Sequence, residues 1–216
     1  MPGSVEEAVV VPQGASRAYS LQQGDALIVV DVQNDFLPGG ALGVSDGDGV
    51  LAPLNRCIEE FGRQHLPVFA TRDWHPAAHC SFREQGGPWP AHCVAGTKGA
   101  EFPSDLRLPA DVRVISKATR VEPDAHSGFA GTDLVQQLTD AGCRRVFIGG
   151  LATDYCVHAT VLDACKAGFA VIVLTDAVRA VNVRPGDDAR ALAEMKASGA
   201  EIARVEHITK KQGREA

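Results

Sequence analysis

Six short apolar runs, separated by polar or helix-like segments, constrain the fold of this 216-residue chain more than any other feature. Most of the runs are continuously apolar rather than alternating in polarity, which is typical of parallel strands covered on both faces. The predicted strands are residues 26–30, 68–70, 112–115, 146–148, 170–174 and 202–205. A mostly parallel sheet of about six strands is therefore expected.

Amphipathic helices are predicted between several of these strands. One begins near Thr132, as its N-cap, and ends at Gly142; another has two aspartates in its first turn and ends before Gly199. The apolar stripes of two of the helices are Val50, Leu54, Cys57, Ile58 and Phe61, and Leu134, Leu138 and Ala141. The alternation of strands and helices predicts a three-layer α/β/α fold with right-handed crossovers.

The domain organisation follows from the length and from the position of the first strand. Residues 25–216 are long enough for one core and are predicted to form a single domain. Residues 1–24 are interpreted as an N-terminal arm, flexible in the simplest interpretation. Residues 74–111 show no pattern of a long helix, and a loop of that length in a compact domain is usually functional.

Composition restricts the partners of the chain. A net charge of −6 without a Lys/Arg cluster disfavours nucleic acid, because phosphate binding needs a basic face. The apolar runs have only strand length, so no membrane span is predicted. Six cysteines without a C-x-x-C motif, after a start unlike a signal peptide, predict reduced thiols in the cytoplasm. A small molecule is the expected partner, and the sequence is compatible with a homo-oligomer.

Cys156 is the thiol with the most suggestive position. It follows the strand at 146–148 and lies in the first turn of the next predicted helix, one residue off that helix's apolar stripe. The positive end of a helix stabilises a thiolate, so a reactive sulfur is one interpretation. A buried structural cysteine is the other, and it is the default for the remaining five cysteines.

Asp31 and Lys117 also follow apolar runs. Taken alone, Asp31 could be a helix cap, a metal ligand or a general base, and Lys117 could simply be solvated. Ligands bind beyond the carboxyl ends of strands in such sheets, so these two side chains and Cys156 are expected to meet there. A thiol, a carboxylate and a cation are the groups that amide hydrolysis through a thiol requires.

A second group of residues, which are candidate metal ligands, lies in and just before the long loop. Asp73 and His75 are two residues apart after the second strand, so their side chains point the same way. His92 could return from the loop as a third ligand, and His79 is either a fourth ligand or a residue behind the ligands. This donor set suits zinc, iron or manganese and leaves coordination positions open.

With these residues in place, the chain resembles the nicotinamidase/pyrazinamidase branch of the isochorismatase-like cysteine hydrolases. The matching blocks occur in order and span roughly residues 26–205: DVQNDFLPGGAL, TRDWHPAAHCSF, GGPWPAHCVAGTKGAEF, SGF and GLATDYCV. One departure is His126, where many relatives have a tyrosine before the SGF block. Five ordered blocks are far more specific than any single motif.

The resemblance implies roles for individual residues. The implied catalytic triad is Asp31, Lys117 and Cys156; the metal ligands are Asp73, His75 and His92; the residues against the substrate ring are Phe36, Trp89 and Tyr155. It also implies a non-proline cis peptide between Leu151 and Ala152, in a turn that points the N–H groups of Ala152 and Cys156 at a developing oxyanion.

The implied activity is metal-dependent hydrolysis of nicotinamide to nicotinate and ammonia through a thioester, with zinc favoured over iron and manganese and with pyrazinamide also accepted. A related cysteine hydrolase of another small amide is the first alternative. A non-catalytic ligand-binding or redox-sensing protein is the second, although such a protein would normally have lost Asp31, Lys117 or Cys156.

Overall fold

A central sheet of six parallel strands organises the computed structural model, which describes residues 18–209. The strands are β1 (Tyr19–Ser20), β2 (Asp25–Val30), β3 (Val68–Asp73), β4 (Arg113–Lys117), β5 (Arg145–Leu151), β6 (Ala170–Arg179), β7 (Glu201–Ala203) and β8 (Ile208–Thr209). The six-stranded sheet has the order β4-β3-β2-β5-β6-β7, and β1 pairs with β8 in a separate parallel ribbon. The predicted α/β fold with a parallel sheet is confirmed.

Four helices cover the two faces of the sheet: α1 (Leu51–Arg63), α2 (Leu134–Asp140), α3 (His158–Lys166) and α4 (Asp187–Ala197). Leu54 and Phe61 of α1 belong to the core cluster on one face. Leu138 of α2, Val161 of α3 and Met195 of α4 belong to the cluster on the other face. The sheet is thus the middle of three layers.

β2 shows why the run at residues 26–30 is continuously apolar. All six of its residues are buried. Leu27 and Val29 point into the cluster that contains α1, whereas Ala26, Ile28 and Val30 point into the opposite cluster. Successive side chains of a strand face opposite sides, so a strand covered on both sides needs apolar residues at every position. Each large side chain buried here contributes about 1.5–3 kcal/mol to folding.

The order of the strands reverses between β2 and β5. From β2 the chain proceeds to β3 and β4 on one side, and from β5 to β6 and β7 on the other. At such a switch point the connections leave in opposite directions, which opens a crevice beyond the carboxyl ends of the two central strands. The segments that follow β2 and β5 therefore flank the site where a ligand is expected.

The predicted strands were confirmed, most of them with longer extents; the last one, β7, ends at Ala203, before the predicted residue 205. The N-cap is Asp133, one residue after the predicted Thr132, but the Asp133 side chain makes no capping hydrogen bond. The Thr132 hydroxyl accepts from the Leu134 N–H at 3.3 Å and donates to Gly128 O at 2.6 Å. The long segment 74–111 contains only two 3₁₀ turns. None of the helices within residues 18–209 is long and apolar enough to cross a bilayer.

Most of the arm predicted at residues 1–24 lies outside the described residues. Near its end, Tyr19 and Leu21 are buried in the core cluster that contains α1, and β1 pairs with β8. The ribbon formed by β1 and β8 was not predicted from the sequence. That residues 25–216 form a single domain stays a prediction.

Gly150 allows β5 to approach β2 closely, and this contact can be tested by mutation. Its φ is +129°, and a Cβ there would lie 2.0 Å from the carbonyl oxygen of Val30. Gly150→Ala is expected to destabilise the protein by about 3 kcal/mol or more, measured by urea denaturation. Gly62→Ala, in α1 with nothing near its Cβ position, is expected to stabilise by roughly 0.5–1 kcal/mol. Equal midpoints for the two variants would contradict the close approach of the strands.

Candidate active site

Four chemically reactive side chains meet beyond the carboxyl ends of neighbouring strands. Asp31 directly follows β2, Asp73 is the last residue of β3, and Lys117 is the last residue of β4. Cys156 lies in a π-helical turn, Thr153–Val157, between β5 and α3. All four are buried. The expectation that the ends of separate strands bring Asp31, Lys117 and Cys156 together is met by this geometry.

Lys117 is the centre of the cluster. Its ammonium nitrogen lies 3.0 Å from Asp31 Oδ2, donates to Asp73 Oδ1 and to Ala125 O (2.9 Å), and lies 3.6 Å from Cys156 Sγ. The side chain is completely buried. A buried ammonium is stable only where anions and acceptors surround it, and these groups provide that environment.

Asp31 presents one oxygen to the site and anchors the other. Its Oδ1 accepts a hydrogen bond from the Thr71 hydroxyl at 2.6 Å. Its Oδ2, although close to Lys117, has no hydrogen bond within the described structure. Asp31 has a φ of +47°, a conformation that is uncommon for a residue other than glycine. The Oδ2 atom is paired with the Lys117 ammonium at 3.0 Å, and the carboxylate also interacts with the Cys156 thiol by a side-chain hydrogen bond.

Burial and charge shift the pKa of each group. Burial raises the pKa of Asp31, despite the attraction of Lys117. Burial alone would also raise the pKa of Asp73, but Lys117 and His75 outweigh it and lower that pKa. Burial alone would lower the pKa of Lys117, yet the two carboxylates hold it well above its usual range. Lys117 is therefore charged, and of the two carboxylates Asp31 is the better proton acceptor.

The thiol environment differs from the expectation based on the sequence. Burial, with added repulsion from Asp31 and Asp73, raises the pKa of Cys156 well above its usual value, and Lys117 only partly opposes this. The sulfur is thus a neutral thiol in the resting site rather than a preformed thiolate. Cys156 also precedes α3, in the π-helical turn, instead of lying in the first turn of that helix.

Asp73, His75 and His92 form a cluster that could hold a metal ion. Each offers one ligand atom, and these atoms lie within 4.8 Å of one another. Burial lowers the pKa of His75 to about 4, so its imidazole is neutral at neutral pH, as a metal ligand must be. The Nε2 atom of His75 is buried without a hydrogen-bond partner. An orphaned imidazole nitrogen beside a carboxylate and a second imidazole fits a divalent cation.

His79 belongs to a second, overlapping group with His75 and Asp124. Its ring stacks on His75 with centroids 4.1 Å apart. The Ser81 N–H donates to His79 Nδ1 at 3.3 Å, and the Ser81 hydroxyl lies 2.7 Å from the same atom. The Nε2 atom of His79, like that of His75, is buried without a hydrogen-bond partner among the described residues. The role of His79, as a fourth ligand or as a residue behind the ligands, therefore stays a prediction.

A pocket opens next to both clusters. Its volume, counted out to the open mouth and including the solvent space there, is about 480 Å³. Cys156 lines the pocket, whereas Asp31 and Lys117 do not and lie behind it. The residues named from the sequence that line it are Phe36, Asp73, His75, Trp89, His92, Ala152, Tyr155 and Cys156.

The walls of the pocket are aromatic. Trp89 and Tyr155 meet edge to face with ring centroids 5.4 Å apart, and His126 packs against Tyr155 at 5.8 Å. Phe36 packs against the ring of His92 at 5.6 Å. Such walls accommodate a flat ring whose edges carry a few polar atoms. His126, the departure from the resemblance, lies on the pocket wall.

The turn after β5 has the backbone that the resemblance implied. The peptide between Leu151 and Ala152 is cis. The carbonyl of Ala152 accepts from the N–H groups of Tyr155 and Val157, both at 3.1 Å. Ala152 and Cys156 line the pocket together. The turn thus places the backbones of Ala152 and Cys156 and the Cys156 thiol along the same pocket.

Sequence reasoning missed four supporting residues: Gln33, Asp35, Thr71 and Phe82. Gln33 and Asp35 lie in the DVQNDF block, whose only residues singled out from the sequence were Asp31 and Phe36. The Gln33 amide accepts from the Asp73 N–H and donates to the Asp73 carbonyl, both at 2.8 Å. Phe82 packs edge-on against the rings of His75, His79 and His92. The signal available for Gln33 and Asp35 was polar residues directly after a buried strand.

The chain has relatives among known proteins. The isochorismatase domain model matches residues 25–207. The nicotinamidase of Escherichia coli (strain K12) is 39% identical over 198 residues, covering 82% of this chain and 93% of the relative.

Two solved structures have the same fold. The pyrazinamidase of Pyrococcus horikoshii, solved in complex with zinc, has a TM-score of 0.81 and 52% identity, covering 84% of this chain and 99% of the other. A protein from L. infantum, solved in complex with nicotinate, has a TM-score of 0.83 and 35% identity, covering 90% of this chain and 100% of the other. The chain therefore belongs to the isochorismatase family, where it is similar to nicotinamidases and pyrazinamidases.

Proposed function

We propose that this protein is a metal-dependent cysteine amidohydrolase that converts nicotinamide to nicotinate and ammonia, and that it also accepts pyrazinamide. The observation that carries the proposal is one aromatic pocket that adjoins both a buried Asp31–Lys117–Cys156 cluster and the set Asp73, His75 and His92. The similarity to a nicotinamidase and a pyrazinamidase, and to a structure with nicotinate bound, supports the choice of substrate.

The first step joins proton transfer to nucleophilic attack. Because the Cys156 thiol is neutral at rest, Asp31 takes its proton as the sulfur attacks the carboxamide carbon. The Asp31 carboxylate, which interacts with the Cys156 thiol by a side-chain hydrogen bond, is the acceptor, and its raised pKa makes it a stronger base than Asp73. The charge of Lys117, 3.6 Å from the sulfur, stabilises the negative charge that develops there.

Attack produces a tetrahedral intermediate whose oxygen carries a negative charge. The backbone N–H groups of Ala152 and Cys156 are the proposed donors to this oxygen, since both residues line the pocket beside the sulfur. Fixed backbone dipoles need no reorganisation when the charge appears, and one such donor is typically worth about 10²–10³-fold in kcat.

The intermediate collapses when Asp31 returns its proton to the leaving nitrogen. The carbon–nitrogen bond breaks, ammonia departs, and the acyl group remains on Cys156 as a thioester. Water then attacks the thioester carbon while Asp31 accepts one of its protons. As the carbon–sulfur bond breaks, Asp31 returns that proton to the sulfur, which restores the thiol. The product leaves as nicotinic acid and loses its remaining proton to the released ammonia, giving nicotinate and ammonium.

Asp73, His75 and His92 would hold the metal ion, for which zinc is the first choice because the P. horikoshii relative was solved with zinc. A bound divalent cation would supply a Lewis acid for a ring nitrogen of the substrate and would offset the charge of Asp73. Phe36, Trp89 and Tyr155 would fix the plane of the ring by packing against it.

The thiol assignment is tested with Cys156→Ala. Ammonia release from nicotinamide is expected to fall at least about 10³-fold, because the acyl group then has no acceptor. Cys165→Ala is the matched control, since that half-buried cysteine lies on α3 away from the pocket. Full residual activity of Cys156→Ala would refute the nucleophile assignment.

The ligand assignment is tested with His92→Ala. Metal content, measured on the purified protein, is expected to drop from about one divalent ion per chain to a small fraction of that. His158→Ala removes a histidine from α3, outside the pocket, and is expected to retain the metal. Chelation followed by re-addition of zinc, iron or manganese identifies the ion that restores activity. Equal metal content in the two variants would contradict the assignment.

The substrate assignment is tested by comparing nicotinamide with benzamide, which has the same shape but lacks the ring nitrogen. A kcat/KM at least about 10²-fold higher for nicotinamide is expected, because the site offers a partner for that nitrogen. The ratio is expected to shrink in His92→Ala, which leaves Lys117 and its contacts intact. A preference for a non-aromatic amide that His92→Ala does not alter would favour the rival hydrolase of another small amide.

A further inference from the structure

We propose that Asp35 is a positioning residue for the metal ligands and that it acts through the peptide bond joining His92 to Cys93. The inference rests on the proposed metal site. Asp35 itself belongs to neither of the clusters described above. Its carboxylate reaches the ligands only through the backbone of the loop that carries His92.

The peptide between His92 and Cys93 is held from both sides. Its carbonyl oxygen accepts a hydrogen bond from His75 Nδ1 at 3.0 Å. Its N–H donates to Asp35 Oδ2 at 2.7 Å. The C=O and N–H of a trans peptide point in opposite directions within one plane, so the His75 ring and the Asp35 carboxylate together fix the orientation of that plane.

This orientation determines which nitrogen of His75 can bind a metal. A carbonyl oxygen only accepts hydrogen bonds, so His75 Nδ1 must carry the proton and Nε2 keeps its lone pair. Nε2 is the buried atom without a partner. His92 is part of the same peptide, and its own Nδ1 donates to the Pro90 carbonyl at 2.8 Å. Rotation of the peptide plane would therefore disturb both imidazole ligands together.

The backbone at Cys93 needs such support. Its φ is +46°, which is uncommon for a residue other than glycine. Its carbonyl accepts from the His75 N–H at 3.0 Å, so the Cys93 backbone is attached to His75 as well as to Asp35.

The Asp35 carboxylate has little room to move. Its Oδ1 accepts from the Ala41 N–H at 3.3 Å. Gly99 packs so closely that a Cβ there would lie 2.1 Å from Asp35 Oδ2. The acceptor for the Cys93 N–H is therefore held in place by its surroundings.

The neighbouring residue Asn34 provides a matched control. Its side-chain amide donates to the Lys98 carbonyl at 2.7 Å, so it also links the 3₁₀ turn Asn34–Phe36 to the long loop. It makes no contact with the peptide between His92 and Cys93 within the described hydrogen bonds. A general role in holding the loop would appear in variants of both residues, whereas control of the ligands would appear only at Asp35.

The experiment measures zinc affinity in the chelator-stripped, full-length protein by competition with a chromophoric chelator. Asp35→Ala is expected to weaken zinc binding at least about tenfold, the usual effect of removing a group that orients a ligand. Asn34→Ala is expected to stay within about twofold of wild type. Asp35→Asn keeps an oxygen for the Cys93 N–H and is expected to recover most of the affinity.

A spectroscopic readout separates ligand orientation from stability. The tautomer of His75, read from the ring-nitrogen shifts of the metal-free protein by NMR, is expected to be Nδ1–H in wild type and mixed in Asp35→Ala. Should Asp35→Ala fail to fold, Gly99→Ala displaces the carboxylate without removing it and is expected to weaken zinc binding as well.

The outcomes distinguish this inference from the proposed function. Unchanged zinc affinity in Asp35→Ala, or in Gly99→Ala where the first variant does not fold, overturns the positioning role while leaving the metal site intact. An equal loss in Asn34→Ala also overturns it, because the effect is then on the loop as a whole. A wild-type protein that does not bind zinc overturns the metal site and this inference with it.

Discussion

The buried ammonium of Lys117 is the interaction on which the site depends. It contacts Asp31 and Asp73 and lies beside Cys156, in a position with no solvent exposure of its side chain. Removing one partner of a buried ion pair leaves an uncompensated charge, which commonly costs about 3–5 kcal/mol. The charges of this cluster therefore have to be considered as a set, since each is tolerable only in the presence of the others.

Asp73 links the two halves of the site. One carboxylate contacts the ammonium beside the thiol and also belongs to the cluster suited to a metal ion. The lysine lowers the pKa of Asp73, so this carboxylate is ionised and available as a ligand. The pocket is thus bounded by the Cys156 thiol on one side and by a cluster that could hold a metal ion on the other, and the Asp73 side chain contacts both groups.

Much of this arrangement could be predicted from the sequence, for a physical reason. Parallel strands buried on both faces leave long apolar runs, and residues directly after those runs must lie at the carboxyl edge of the sheet. Asp31, Asp73 and Lys117 were found in this way. The raised pKa of Cys156 could not be predicted, because it depends on how completely the finished fold excludes water. The contact of Asp35 with the Cys93 N–H could not be predicted either, since it depends on the path of a long loop without regular structure.

Lys117 lies at the end of β4, which within residues 18–209 is an edge strand that pairs with β3 alone. Edge strands are among the first parts of a sheet to open in local fluctuations, well below the free energy of global unfolding. Here the ion pairs at the end of β4 oppose such opening, because separation of the strand would pull Lys117 away from the carboxylates of Asp31 and Asp73. Conversely, fraying of this one strand would remove the cation from the thiol while the rest of the sheet stays folded. Hydrogen exchange at β4 therefore reports how often the cation and the thiol are separated in an otherwise native molecule.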